Sequence, residues 1–349
     1  MSDASPAAPR MPAEWEPHER VWISWPLNPE TWPGRLPRLQ QRFAELTALL
    51  SRYVPVAINA AKGAHDAVRA ALAAAAVDRQ QVALFDHPTN DVWCRDHGPI
   101  FVQTANGQPA VTDWRFNAWG GKFPPWNLDD AVPQRVAESL ALPRFASSLV
   151  LEGGAIETDG AGLFLSTEAV LLNANRNPEW TRAQIEAELA RLLGARQVCW
   201  FPHGIEGDDT DGHVDDFCRF IGPQRLVAAV ESNPADPNYR VLCENRERLD
   251  DLRTEDGGRF EMIELPMPAP LAATDWRLER LPASYANFLI TNHAVIAPVF
   301  NQPQLDRQAL GILGEVFPER DVIGFDARDF VYEGGAIHCL TQQQPAVIR

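Results

Sequence analysis

Glu333-Gly-Gly-Ala-Ile-His-Cys339 decides the reading, because its opening letters recur upstream as Glu152-Gly-Gly-Ala-Ile156. A glycine pair lets the backbone approach another group closely, and in the second copy it sets a thiol, Cys339, just behind the turn. Outward from these two turns the chain alternates strand, polar loop, hairpin and helix. Repeated supersecondary units of this kind close into a ring or stack as a solenoid. In either case polar loops at equivalent places in each unit meet at one end.

The periodicity predicts helices over Leu36–Val54, Ala64–Ala76, Asp129–Leu140, Pro178–Gly194, Asn238–Leu252 and Gln308–Phe317. The Pro178 helix carries proline near its start and glycine just past its end. Short apolar runs predict strands at Val21–Trp25, Val54–Ile58, Gln81–Phe85, Leu149–Ile156, Leu163–Leu172, Gln197–Phe201, Phe260–Leu265 and Val322–Phe325, with hairpins at Phe217–Val230 and Asn287–Val299. Trp114–Trp126 reads as a loop. Five rounds result, with no linker between them, so residues 11–349 are expected to form one domain behind a disordered leader, 1–10.

The chain has 349 residues, 45% hydrophobic and 22% charged, which is ample for a globular core. No apolar run approaches the roughly 18 residues of a membrane helix, and the leader lacks the apolar stretch of a secretory signal. A cytoplasmic location follows. The net charge of −16 argues against nucleic acid and favours small cations. The cysteines Cys94, Cys199, Cys218, Cys243 and Cys339 are odd in number and widely spaced, which fits reduced thiols. Lys62 and Lys122 are the only lysines, so Schiff-base chemistry has few candidates.

Three stretches offer partners for a reactive thiol: Asn90-Asp-Val-Trp-Cys-Arg-Asp-His-Gly-Pro99, Leu151-Glu-Gly-Gly-Ala-Ile156 and Gly207-Asp-Asp-Thr-Asp-Gly-His-Val-Asp-Asp216. In an extended backbone His213 and Asp215 share one face of a strand. Neighbouring Asp211, Asp215 and Asp216 make His213 easier to charge. A calcium loop fails here, because Gly207 stands where the first acidic ligand belongs and Cys218 where a bidentate Glu is required. A metal-dependent hydrolase using His213, Asp208, Asp209 and Asp215 is the rival from another class.

With the tail, these stretches resemble the agmatine deiminase family of guanidine-modifying enzymes, relatives of arginine deiminase. The resemblance runs in order from Met11-Pro-Ala-Glu-Trp-Glu-Pro-His18 through Asn117-Ala-Trp-Gly-Gly121, Leu172-Asn-Ala-Asn-Arg-Asn-Pro178 and Leu281-Pro-Ala-Ser-Tyr-Ala-Asn-Phe288 to Gln344. It implies an α/β fold, a five-fold pseudosymmetric α/β propeller of pentein type with its site in the central channel. It implies Cys339 as nucleophile and His213 as general acid and base. Asp96 and Asp215 would grip a guanidinium, and Glu152 would orient His213 or share that grip. Trp93 either stacks on the cation or fills the core, and Asp208, Asp209 or Asp211 would neutralise the far end of the substrate.

The implied reaction converts agmatine to N-carbamoylputrescine and ammonia through a covalent amidino-thioether, with no metal and no cofactor. Free arginine and peptidyl-arginine are the alternative substrates, the former needing a cation such as Arg95, Arg176 or Arg219 for its carboxylate. The chain departs from the family where Glu333-Gly-Gly-Ala336 replaces Gly-Gly-Gly-Asn. A homodimer is left open.

Overall fold

The computed structural model describes residues 9–254, 256–271 and 280–347. Most of the expected leader therefore lies outside the described residues. Arg10 does not: its backbone pairs with Gln103 at 2.8 Å in both directions, and its guanidinium binds Glu16.

Among the described residues, five small sheets account for the strands. Four of them share one plan. An antiparallel hairpin is followed by a helix, which returns the chain to a third strand parallel to the second; a crossover helix is what parallel neighbours require. In chain order the strands are Ile100–Gln103, Pro109–Arg115 and Arg144–Val150; then Ile156–Thr158, Leu163–Thr167 and Gln197–Phe201; then Cys218–Gly222, Arg225–Val230 and Glu261–Pro266; then Leu289–Ile290, Ala294–Val299 and Asp321–Asp326. The returning helices are Val132–Leu140, Arg182–Leu193, Pro237–Asp251 and Pro303–Val316.

The remaining sheet builds the same unit from both ends of the chain. Thr341–Pro345 pairs antiparallel with His18–Ser24, which then runs through helix Leu36–Leu50 to the parallel strand Val56–Ala60, with Val82–Asp86 added outside. The last strand thus completes the first unit, and the chain forms a five-fold pseudosymmetric α/β propeller. The same closure carries Cys339, two residues before its strand, to the middle of the molecule.

Local signals explain the helix bounds. The Pro178 helix begins later than its proline suggests, because Thr181 accepts from Gln184 N while Gln184 accepts from Thr181 N, a reciprocal cap. It stops at Gly194, whose φ of 77° is left-handed. Asp236 caps Pro237–Asp251 one way, accepting from Asn238 N at 2.9 Å. The expected strand Leu149–Ile156 divides instead: Arg144–Val150 is one strand, Gly153–Ala155 is a tight 3-10 turn, and Ile156 opens the next. Leu163–Leu172 likewise ends as a strand at Thr167. Pro109–Arg115, partly assigned to a loop by sequence, is a central strand whose Ala110–Trp114 are buried.

The largest apolar cluster joins helix Leu36–Leu50, through Leu39, Phe43 and Leu46, to Tyr285, Phe288, Phe300 and Phe330 of the last unit. Apolar burial between sequence-distant units is what holds the ring shut. No helix among the described residues is long and apolar enough to cross a membrane.

Candidate active site

Three glycines show why this backbone converges. A side-chain carbon on Gly335 would lie 2.4 Å from the Trp93 ring and 2.9 Å from Cys339 Cβ. One on Gly154 would lie 2.6 Å from His213 Nδ1, 2.8 Å from Asp96 Oδ1 and 3.2 Å from Asp215 Oδ2. Gly334 is held at a φ of 117°, which a side chain resists. Both copies of the Glu-Gly-Gly turn therefore admit other groups of the site where any larger residue would exclude them.

Around Gly154 the groups come from separate units. Asp96 sits in the single turn Cys94–His97, and its Oδ1 accepts from Gly154 N at 3.0 Å while Oδ2 accepts from Trp119 Nε1 at 3.0 Å. His213 Nδ1 stands 3.6 Å from Asp96 Oδ1, and His213 Nε2 stands 3.9 Å from Glu152 Oε2. Cys339 Sγ lies 3.8 Å from Asp215 Oδ2. His213 and Asp215 do not share a strand face as expected. Val214–Asp216 is a 3-10 turn that begins at His213, because Asp208 Oδ2 accepts from His213 N at 2.8 Å and folds the loop back.

A cavity of about 260 Å3 opens on this layer, with Trp93, Asp96 and Cys339 in its wall. His213, Glu152 and Asp215 are buried behind that wall. Both ring nitrogens of His213, Glu152 Oε2 and Asp215 Oδ1 make no hydrogen bond to described residues, which for buried polar atoms points to a ligand or water as partner. Trp93 packs its ring 6.1 Å from that of Trp32, as a core residue would, and also lines the cavity.

Asp211 is placed differently from its expected substrate contact. Its carboxylate binds Arg176 Nη1 at 2.6 Å, Lys122 Nζ at 2.7 Å and Asn175 Nδ2 at 3.2 Å, and it is not part of the cavity wall. Asp209, its neighbour, does line the wall. Asp208 is spent on its own loop, accepting from Thr210 as well as His213.

The charges follow from burial and neighbours. Burial raises the Asp96 carboxyl to about 6, with the His213 charge opposing and Asp215 and Glu152 adding to it. Burial alone would discharge His213, but Asp96, Glu152 and Asp208 outweigh it and raise the imidazole to about 10. Glu152 is held below the usual carboxylate range against burial, by Arg176 and then His213. The Cys339 thiol is pushed well above its ordinary value by burial, then by Asp215, Asp216 and Asp96. The resting sulfur is therefore neutral, and an arriving cation is what would ionise it.

Sequence reasoning named Arg95, Arg176 and Arg219 as candidate partners for a substrate carboxylate. Each is already engaged: Arg95 with Gln342 and Gln343, Arg176 with Glu152 and Asp211, Arg219 with Glu14 and Glu157. None of them lines the cavity. Sequence reasoning gave no role to His338, Glu14 or Asn287, although all three lie in stretches it quoted. His338 Nδ1 stands 2.6 Å from Asp215 Oδ2, and Nε2 2.7 Å from Glu14 Oε2.

Among the described residues, Asp215, Asp216 and Cys339 bring ligand atoms within 4.8 Å of one another, the one grouping able to hold a metal. His338 and Asn287 already take one oxygen of each of the two acids. The rival metal set of His213, Asp208, Asp209 and Asp215 does not converge.

The family model of Porphyromonas-type peptidyl-arginine deiminase matches residues 10–345. An agmatine deiminase of Stutzerimonas stutzeri is 40% identical, covering 96% of this chain and 95% of the relative. One of Medicago truncatula is 38% identical over 97% of this chain and 96% of the relative. The solved agmatine deiminase of Enterococcus faecalis superposes with a TM-score of 0.91 at 32% identity, covering 98% of this chain and 97% of that one. A putative arginine deiminase of Porphyromonas gingivalis gives 0.87 at 33% identity, over 97% and 98%. With the family model matching nearly the whole chain and relatives at about 40% identity over nearly their full length, this chain belongs to the Porphyromonas-type peptidyl-arginine deiminase family.

Proposed function

We propose that this protein is an agmatine deiminase, an amidine hydrolase acting on a C–N bond, whose catalytic domain spans residues 11–349. The observation that carries the reading is the cavity wall: Cys339 opens into it beside Asp91, Asp96, Asp209 and Glu333, while the surrounding buried arginines are held by other partners. Such a well suits a substrate cationic at both ends: among the described residues no arginine lines it, and the Lys122 ammonium in its wall is held by Asp211 and by the Asp209 carbonyl. Asp209 and Glu333 are the wall acids that would face a substrate amine, in place of the expected Asp211.

In the mechanism, Asp96 and Asp215 hold the planar guanidinium through paired N–H groups, and Trp93 covers its face. The bound cation offsets the acids that keep Cys339 protonated, and the thiolate forms as its proton passes to solvent through the cavity, where the released ammonia later takes up one proton. Sulfur adds to the guanidinium carbon to give a tetrahedral adduct. His213, charged in the resting site, gives its proton to the departing nitrogen, and ammonia leaves as the C–N bond breaks. Neutral His213 then takes a proton from water, which adds to the amidino-thioether carbon. Collapse breaks the C–S bond, returns the thiol and releases the ureido product. Glu152, fixed by Arg176, orients His213 and sustains its charge. The net charge of −16 supports a small cationic substrate over nucleic acid, and the five free cysteines support a reducing, cytoplasmic setting.

The test is direct. Purified protein is incubated with agmatine, arginine and an arginyl peptide, and ammonia and ureido product are assayed, with Cys339→Ala as control. Agmatine is expected to be turned over far faster than the others and only with the thiol present. Product from none of the three overturns the reading.

A further inference from the structure

The turn Ala118–Gly121 and the adjoining Lys122 have no step in the proposed reaction, yet the backbone there is strained. Four consecutive residues are left-handed, with φ of 52° at Ala118, 55° at Trp119, 87° at Gly120 and 77° at Gly121. Ala118 and Trp119 carry side chains that resist this conformation, and such strain persists only where the surroundings impose it. Asn117 supplies part of that constraint: its Oδ1 accepts from Gly120 N at 2.8 Å, and its Nδ2 donates to Asn175 O at 3.0 Å. Gly120 lies so close to the next unit that a side-chain carbon on it would sit 2.4 Å from Asn175 Cγ and 2.9 Å from Arg176 Nη1. Lys122 then crosses to the acidic loop, its Nζ donating to Asp209 O at 2.6 Å and to Asp211 Oδ1 at 2.7 Å.

We propose that Lys122 is a positioning residue: through Asp211 and the Asp209 carbonyl it clasps the left-handed turn to the acidic loop, so that Trp119 stays on Asp96 and Asp209 stays where a substrate amine arrives. The two sides of the clasp are alike. Asp211 is itself left-handed, at a φ of 77°, and its second oxygen binds Arg176 Nη1 at 2.6 Å and Asn175 Nδ2 at 3.2 Å. Burial opposes the charge on this carboxyl, but Lys122, Arg176 and Asn175 hold it below the ordinary range. One carboxylate therefore ties together three stretches, and two of them furnish the cavity wall. The turn brings Trp119, whose Nε1 holds Asp96 Oδ2 at 3.0 Å, and the acidic loop brings Asp209 and Thr210. Removing the ammonium unties the Asp209 carbonyl and frees the turn to relax. It leaves Arg176 on Glu152, and with it the support of His213. The loss therefore falls on binding and spares the chemical step.

That Asp209 meets an amine rests on the proposed function, whereas the clasp itself can be read without substrate. Lys122→Met removes the ammonium and keeps the length of the side chain; Lys122→Arg keeps a cation. Amide hydrogen exchange followed by mass spectrometry, on protein shown to melt cooperatively, is expected to quicken roughly five- to tenfold in Lys122→Met over both 116–123 and 207–214. Lys122→Arg should restore wild-type exchange in both segments. Asp211→Asn, which weakens the same ion pair from the other side, should quicken exchange over 116–123. With agmatine, Lys122→Met should raise KM about fivefold and leave kcat within about twofold, and Lys122→Arg should recover most of the loss. Unchanged exchange over 207–214 in Lys122→Met overturns the clasp, and a loss that falls on kcat with KM unmoved overturns its positioning role. If wild-type protein turns over no guanidine, the function reading fails while the exchange rates still judge the clasp.

Discussion

His338 holds Asp215 by one oxygen only. Its Nδ1 stands 2.6 Å from Asp215 Oδ2, while Asp215 Oδ1 makes no hydrogen bond to described residues. The far nitrogen of His338 reaches Glu14 at 2.7 Å, and Glu14 in turn meets Arg219 at 2.8 Å. A buried relay of acid, imidazole and acid thus fixes one edge of Asp215 and leaves the other edge without a hydrogen bond among the described residues. Burial opposes the charge on both acids, but Arg219 and His338 hold Glu14 well below the usual range, and His338 lowers Asp215.

Glu14→Gln should therefore destabilise the protein by about 3–5 kcal/mol, because it strands His338 and Arg219 without their shared anion. The sign with pH follows from the depressed carboxyls: their contribution is full above the ordinary carboxylate range and is lost as pH falls through the lowered values. Urea unfolding at neutral pH and in acid measures this. Equal stability of wild type and Glu14→Gln at neutral pH would remove the relay from the account.

The acid limb of activity should belong to Asp96. Its carboxyl titrates at about 6, so the anion needed to bind a cation is lost as pH falls through that value. The proton competes with substrate, so kcat/KM should fall by roughly tenfold per unit below this point while kcat changes little. A pH profile at low and saturating agmatine separates the two. A kcat/KM that stays flat down to about pH 5 would contradict the assignment.

Gly154→Ala should stop turnover without unfolding the chain. The added carbon would sit 2.6 Å from His213 Nδ1 and 2.8 Å from Asp96 Oδ1, and close-packed surroundings yield to such an intrusion only by moving those groups. A fall of at least about a hundred-fold in kcat with a melting temperature within a few degrees is expected. The contrasting result is an active enzyme.

Glu333 occupies the cavity wall at 3% exposure, beside Gly334, which abuts Asp209. Glu333→Gln should raise KM for agmatine by about tenfold and leave butylguanidine, which has no cationic tail, nearly unchanged. Equal losses for the two compounds would show that Glu333 supports the fold and does not read the tail.

Much of the ring was legible because apolar spacing in segments such as Leu39, Phe43 and Leu46 obeys one period, and Thr181 and Gly194 mark helix ends by their own chemistry. The central strand Pro109–Arg115 was obscured by its tryptophan and proline surroundings, which mimic a loop. His213 and Asp215 were placed on a strand because spacing of two fits an extended chain as well as a tight turn. Only the Asp208 hydrogen bond to His213 N chooses between them. Asp211 was misjudged for a similar reason: a loop rich in acids does not say which one an arginine from another unit, Arg176, will claim. Asn287 had no signal of its own. Its amide meets a sulfur that lies 52 positions further along the chain.

The central claim is that Cys339 becomes covalently joined to the guanidinium carbon. Protein quenched in acid during turnover of agmatine, then digested and weighed by mass spectrometry, tests it most directly. The account predicts a mass gain on the Cys339 peptide equal to agmatine less ammonia, which disappears once substrate is exhausted. Turnover that proceeds with Cys339 always unmodified, or that survives Cys339→Ala, would contradict it.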